Sequence, residues 1–391
     1  MKSRKMLTFM RLTDCHNIPD FRELARRRLP GPIFHYIDGA ADDELTYRRN
    51  TAAFDDCDLV PDVLAGLETV DLGVEVLGRR VGLPFFLSPT ALQRLFHHEG
   101  ERAVARAAER FNTWFGISSL GTVSIEEIGE TISTPKLFQF YVHKDEGLNR
   151  SMVERCKAAG FDALAVTVDT AVGGNRERDL RTGFTTPIRL TPRSVYEFAR
   201  HPGWALNHFF RERFELSNLK DHVPQGSKVS VTVSDYFNSM LDPTLDWAKA
   251  ERIAADWGGT FVLKGIMSVA DARRAADMGA HAIMVSNHGG RQLDGSRAPF
   301  DQLPEIVDAV GDRIEVICDG GIRRGTHVIK ALSAGATACS GGRAYLYALA
   351  AAGQPGVERA LGLLQAEIER GMKLMGKAAV SELSRENLRY R

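Results

Sequence analysis

From Val81 onward the chain repeats one pattern eight times: a short β-rich apolar run, a polar or glycine-containing turn, then an amphipathic helix. The runs cover 85–88, 113–119, 136–142, 163–169, 260–265, 282–288, 315–321 and 337–342. Near-continuous apolar strands separated by helices imply parallel strands buried on both faces. The intervening helices, among them 99–111, 148–159, 269–278 and 326–334, carry apolar residues at three- and four-residue spacing. Eight such units predict an α/β fold of the closed TIM (β/α)8-barrel type rather than an open doubly wound sheet.

Two regions break the rhythm. Residues 17–80 precede the first strand and read as helices capping the bottom of the barrel plus a small hairpin. Residues 177–242 form an insertion after strand four, far longer than an ordinary βα loop. It is aromatic and basic, with Tyr196, Phe198, Trp204, Phe209, Phe210 and Phe214 among Arg189, Arg193, Arg200, Arg211 and Arg213. No low-complexity tract or linker divides the chain, so residues 1–391 are expected to form one barrel domain.

Composition narrows the function classes. Fifty basic and fifty acidic residues cancel, which argues against a nucleic-acid binder, since that requires excess positive charge. The cysteines Cys15, Cys57, Cys156, Cys318 and Cys339 are scattered, odd in number and free of CxxC pairs. Neither a disulfide framework nor a zinc site follows, and a reducing, cytoplasmic setting is the simpler expectation. The N-terminus lacks a sustained apolar stretch and does not read as a secretory signal. No run approaches the roughly 20 apolar residues that a membrane span needs.

The polar residues fall in phase with the strands. Strand one ends Ser88-Pro89-Thr90-Ala91 and strand two Ser118-Ser119; strand three carries Gln139 and Tyr141, strand four Thr167 and Asp169. Strand five ends on Lys264, strand six on Ser286-Asn287-His288-Gly289-Gly290-Arg291, strand seven on Asp319-Gly320-Gly321-Ile322-Arg323, and strand eight on Gly341-Gly342-Arg343. One such residue is most often a satisfied structural group; eight at the ends where barrels place their active sites point to chemistry. The glycine-rich ends of strands seven and eight let backbone N–H groups approach phosphate oxygens, and Arg323 and Arg343 add fork-shaped cations. Either motif alone would pass for a tight turn. A GxGxxG fingerprint is missing, which disfavours a nicotinamide dinucleotide.

Asp169, His288 and Arg291 suggest the reaction. A carboxylate beside an imidazole orients it and stabilises its protonated form, as a general base requires. Arg291 and Arg176 suit a substrate carboxylate, and Lys264 suits negative charge developing on a cofactor ring. No His/carboxylate cluster has metal-ligand spacing, so no metal is expected.

Together these residues resemble the FMN-dependent 2-hydroxy-acid oxidase and dehydrogenase family. The stretch Ser286-Asn287-His288-Gly289-Gly290-Arg291-Gln292-Leu293-Asp294 matches the family signature without a gap. PTA at 89–91, FQFYV at 138–142, TVDT at 167–170, DGGIRRG at 319–325 and FHYIDGAADDE at 34–44 fall in the family's order, so the match runs over about 18–383. The resemblance implies FMN as cofactor and a small 2-hydroxy acid as substrate. It makes His288 the base, supported by Asp169, with hydride transfer and a carbanion route both open. Arg176 and Arg291 would hold the substrate carboxylate, with Tyr36 and Tyr141 on the carboxylate or hydroxyl. Lys264 would sit near the flavin N1/O2 edge. Thr90, Ala91, Ser118, Gln139, Thr167 and Ser286 would contact the flavin. Asp319, Gly320, Gly321, Arg323, Gly342 and Arg343 would face its phosphate end, with Asp319 better placed for a ribityl hydroxyl.

The strongest likeness is to the bacterial quinone-linked L-lactate dehydrogenase branch, through FHYxDG, a HPxWA stretch at 201–205 and the length of the insertion. That branch implies electron transfer to quinone or another acceptor, a homo-oligomer (a tetramer by resemblance) and peripheral contact of 187–235 with the inner face of the cell membrane. A mobile lid or a tetramer contact is the other reading of the insertion. Two departures bear on the pocket: Leu120 stands where glycolate oxidases carry tryptophan, and Ala91 where the respiratory lactate and mandelate enzymes carry glycine. Ala91 leaves a soluble oxidase, reducing O2 to H2O2, as the alternative. With so little chain ahead of the barrel no fused haem domain is expected, and with the ending Arg389-Tyr390-Arg391 no peroxisomal tripeptide is expected.

Overall fold

The computed structural model describes residues 10–184, 192–212, 214–219 and 239–391. Eight parallel strands close into a barrel: β1 Phe85–Thr90, β2 Phe115–Ser118, β3 Lys136–Phe140, β4 Ala163–Thr167, β5 Thr260–Ile266, β6 Ala282–Val285, β7 Glu315–Asp319 and β8 Ala338–Gly341. Each expected run overlaps one of them, with β1 and β5 continuing two residues and one residue past the expected ends. Sequence neighbours pair throughout, and β8 closes on β1 through Cys339–Phe85 and Gly341–Leu87. Helices Glu101–Arg110, Glu146–Ala158, Val269–Asp277 and Gly325–Ser333 follow their strands within a residue or two of the expected bounds.

Strand alternation decides where polar atoms go, because successive side chains point to opposite faces. Phe86, Trp114, Leu137, Ala163, Ala165, Val262, Ala282, Met284, Ile317 and Ala338 fill the barrel interior. Two residues further along the same strands stand Ser88, Gln139, Thr167, Lys264, Ser286, Asp319 and Ser340, with Ser118 four beyond Trp114. The barrel is therefore apolar at its lower end and polar at its mouth. The outward set, such as Phe138 and Phe140, packs against the helix ring.

The helices expected beneath the barrel lie elsewhere. The base is closed by the hairpin of Val74–Val76 and Arg79–Val81, whose Val76, Leu77 and Val81 complete the interior cluster. Trp114 Nε1 donates to Val76 O at 3.2 Å and Leu77 N to the Glu315 carboxylate at 2.9 Å. Helices α1 (Ile18–Arg28), α2 (Gly31–Asp38) and α3 (Leu45–Ala52) instead stand at the side and mouth. The Asp294 carboxylate accepts from Leu45 N and Thr46 N at the start of α3, and Asn50 and Asn287 exchange amide hydrogen bonds at 2.8 and 2.7 Å. This misplacement has a simple cause: the amphipathic pattern of a helix says that it packs, not against which end of a barrel.

The insertion contains helices Glu177–Thr182, Pro192–Arg200 and Pro202–Phe209. Arg189, Arg213 and residues 220–238 of that segment lie outside the described residues. Among the described residues no helix is long and apolar enough to cross a membrane.

Asp38, fully buried, locks α2 in place. It accepts from Arg22 Nε and Nη2 at 2.5 and 2.8 Å, from Arg178 at 2.9 Å and from the Tyr347 hydroxyl at 2.8 Å. Burial alone would raise its carboxyl, but the Arg22 hydrogen bond and charge, with help from Tyr347 and Arg178, hold it at about 2. Asp38→Asn should cost roughly 2–4 kcal/mol, the range expected when one partner of a buried charge network is removed. Urea denaturation of the two proteins measures it.

Candidate active site

A cavity of about 1060 Å3, counting its open mouth, occupies the polar end of the barrel. That lies at the upper edge of the roughly 300–1,000 Å3 usual for small-molecule sites. Of the residues expected from sequence, Tyr36, Thr90, Ala91, Ser118, Gln139, Tyr141, Thr167, Arg176, Lys264, His288, Arg291, Asp319, Gly320, Gly321, Arg323, Gly342 and Arg343 line it. Asp169 and Ser286 stand behind that wall. Strand periodicity had no means of bringing in Tyr47 and Asn50, which α3 supplies, although Ser340 could have been found by counting two residues on from Ala338.

His288 lies beyond the end of β6 on the short turn His288–Gly290, with φ at +59°, a left-handed conformation uncommon for a residue with a side chain. Its Nδ1 lies 3.0 Å from Asp169 Oδ1, and its Nε2 3.3 Å from the Tyr141 hydroxyl. A carboxylate only accepts, so Nδ1 carries the proton and Nε2 presents a lone pair. Burial lowers the His288 pKa, against the pull of Asp169, and the charges of Lys264 and Arg176 push the same way as burial. The imidazole is thus kept neutral, with the Nε2 lone pair free to take a proton. Gly265, at φ +107°, makes room for this arrangement, because a Cβ there would stand 2.8 Å from the Asp169 side chain.

Two cations flank the histidine. Arg176 is buried, and desolvation together with the charge of Arg291 lowers its pKa to about 10. Arg291 spends Nη1 on Tyr36 O and Gly39 O at 2.6 and 3.0 Å and lies 4.9 Å over the Tyr36 ring. Among the described residues its Nε and Nη2 have no hydrogen-bond partner, which leaves a two-donor edge for a carboxylate. Burial raises the Tyr141 hydroxyl, so it remains a neutral donor.

Lys264 rises from the barrel floor. Its Nζ donates to Asp319 Oδ2 at 2.7 Å and Ser286 Oγ at 3.0 Å. Asp319 also accepts from Ser286 and Ser340, each at 2.7 Å, and from Ser88. Burial would raise this carboxyl, yet the Lys264 charge and these hydrogen bonds hold it at about 2. Asp319 is thus saturated by four protein donors. Ser286 joins it as a brace, accepting the His288 N–H at 3.2 Å. Beside them Ser118 donates to Gln139, and Gln139 to Thr167, at 2.7 and 2.8 Å.

At the far end Gly320 and Gly321 adopt φ of +114° and +74°, and a Cβ on Gly321 would stand 2.0 Å from Asn50 O. Arg323 lines this end. Arg343, expected on a phosphate, is tied to Ile37 O, Gly39 O and Gly289 O at 2.7–2.9 Å and lies 4.6 Å over Tyr47. Burial lowers its pKa to about 10.

A lysine floor, a polar amide row and a glycine-and-arginine end define a barrel that takes an elongated, anionic, ring-bearing cofactor. The donor set fits FMN, and a Cβ on Gly342 would come within 2.9 Å of Thr90 Cγ2 and narrow the cradle. Residues 25–390 match the family described as FMN-dependent dehydrogenase, and the chain belongs to that family. It is an FMN-dependent hydroxy-acid oxidoreductase. The chain is 42% identical over 372 residues to an L-lactate oxidase of Nostoc sp., covering 94% of this chain and 96% of that one. It is 39% identical over 370 residues to an L-lactate dehydrogenase of Alcaligenes faecalis, covering 94% and 97%. Among solved structures it resembles a monotopic membrane protein, (S)-mandelate dehydrogenase, with a TM-score of 0.91, 32% identity and coverage of 97% and 100%.

The lowered His288 pKa sets a pH test. Activity should hold below the ordinary histidine value of about 6.5 and fall only as Nε2 protonates at lower pH. Asp169→Asn removes the charge that raises this pKa, so the acid limb of kcat/KM should move further down while the rate drops. An unmoved limb would separate it from His288.

Proposed function

We propose that the chain oxidises L-lactate, or an L-2-hydroxy acid of similar size, to the 2-oxo acid. The observation that carries this is the His288 Nε2 lone pair, held neutral by burial and set between two arginines in a cavity lined by Lys264. Arg176 and Arg291 bind the substrate carboxylate, and Tyr36 and Tyr141 orient the carboxylate or hydroxyl. Nε2 takes the proton released from the hydroxyl or α-carbon, and Asp169 stabilises the imidazolium. FMN, when bound, accepts the two electrons. Lys264, fixed by Asp319 and Ser286, stabilises negative charge at the cofactor's edge. Thr90, Ala91, Ser118, Gln139 and Thr167 hold the ring, and Gly320, Gly321, Arg323, Gly342 and Arg343 the phosphate end. Phe96, Leu120 and Leu346 give the cavity an apolar wall suited to a short side chain.

Electrons pass from there to quinone or another membrane acceptor, with the protein peripheral on the inner face of the membrane and oligomeric, as a tetramer. The exposure of Val195, Tyr196, Leu206 and Phe209 on two neighbouring insertion helices, and of Phe210 just after them, supports that contact, since such rings favour the headgroup level. Ala91 favours the second reading, an oxidase that reduces O2 to H2O2. Oxygen uptake compared with quinone or dye reduction separates the two.

His288→Gln should keep its yellow flavin yet lose anaerobic bleaching by L-lactate, by about 10²-fold or more for a missing general base. Normal bleaching would remove His288 from this role. The same assay across glycolate, L-lactate, longer aliphatic acids and mandelate tests the substrate, with L-lactate expected to be fastest.

A further inference from the structure

A second cavity, of about 890 Å3, lies between the end of α1, the 94–98 segment after β1 and the insertion helices. Arg27 and Arg28 enter it from α1, Arg94 from the 94–98 segment and Arg200 from the insertion. Among the described residues its lining contains no carboxylate. Arg27 is paired with Glu23 at 2.8 Å, and Arg94 with the Glu212 carboxylate at 3.5 Å and its carbonyl at 2.6 Å. Arg28 and Arg200 have no carboxylate partner among the described residues. With Arg27 and Arg94 paired, Arg28 and Arg200 leave uncompensated positive charge at the cavity, and its field attracts an anion.

Imidazoles complete the lining. His97, His98, His201 and His208 all face this space. His97, His98 and Glu99 also have ligand atoms close enough to one another for a metal ion. A cation there would stand among the guanidinium groups, and the Glu99 carboxylate is already taken by Arg106. The chemistry favours an anion. Burial lowers the pKa of His97 to about 4 and also lowers that of His98 and His208, so these rings serve as neutral hydrogen-bonding groups.

The arginines arrive from three separate elements, so a tetrahedral anion with several acceptor oxygens meets them better than a planar carboxylate. The volume exceeds that of a bare ion and leaves room for an ester group. We propose that this cavity binds a phosphate-bearing anion, supplied either by an acidic phospholipid headgroup or by a soluble phosphate ester. The lipid source rests on the membrane contact proposed above; the site itself does not. Two features connect it to the rest of the enzyme. Helix Pro202–Phe209 turns Trp204 and His208 toward the cavity while exposing Leu206 and Phe209. Phe96 lines both this cavity and the active site, and Trp204 Nε1 is bonded to the neighbouring Leu95 O at 2.8 Å.

The test uses FMN-loaded enzyme, so that the cofactor's own phosphate subsite is filled. Calorimetric titration with glycerol 1-phosphate should show binding that Arg28→Gln/Arg200→Gln weakens by about tenfold or more, as expected for lost charge-assisted hydrogen bonds. The charge-matched control Arg110→Gln/Arg391→Gln should bind as the parent does. All three should keep equal flavin content and dye-linked turnover. A preference for phosphatidylglycerol over phosphatidylcholine vesicles in sedimentation, lost in Arg28→Gln/Arg200→Gln but kept in the control, assigns the lipid source. Titration without a vesicle preference assigns a soluble ester. Phe209→Ser/Phe210→Ser, which should reduce sedimentation with both vesicle types and spare the titration, reads the membrane contact separately. Equal binding by parent and Arg28→Gln/Arg200→Gln in both assays, or no binding by the parent in either, overturns the proposal.

Discussion

The buried pair of Lys264 and Asp319 is the constraint on which the mouth of the barrel depends. Two opposite charges in a desolvated interior are tolerated only when their remaining hydrogen-bonding capacity is met. Here Ser88, Ser286 and Ser340 meet it, so β1, β5, β6, β7 and β8 are all tied at one point. Removing either charge would strand the other. The same knot aims the lysine at the cavity and, through Ser286, fixes the backbone that launches the His288 turn.

A second device closes the mouth from outside the barrel. The last turn of a helix leaves carbonyls without intrahelical partners, and they carry partial negative charge. At the end of α2 these are Tyr36 O, Ile37 O and Gly39 O, and they take up Arg291 and Arg343. One arginine follows the His288 turn and the other the glycine-rich end of β8. Their spacing is therefore set by a single helix terminus, which Asp38 anchors through Arg22 and Arg178.

Much of this was legible in the residues. Period-two alternation, followed from Phe86 to Ser88 or from Ile317 to Asp319, says which side chains look inward and where the interior turns polar. The His288 turn was legible as a motif. The roles within the polar set were harder to read. Ser286 and Asp319 read as ligand contacts in a list of strand-end residues, and the structure adds that both brace Lys264. Arg343 reads as a phosphate ligand, and the structure adds that three of its N–H donors are tied to carbonyls of distant segments. A sequence names donors and acceptors, but their partners come from strands and helices far away along the chain.

What the sequence determined by itself was the barrel, the polarity of its mouth and the candidate base, because strand period and residue type are local properties. Only the tertiary structure decided that α2 and α3 stand at the mouth, that Tyr47 and Asn50 join the cavity, and that arginines from three elements converge on a second one. Those are meetings between distant segments, governed by which surfaces bury against each other, and no local pattern encodes them.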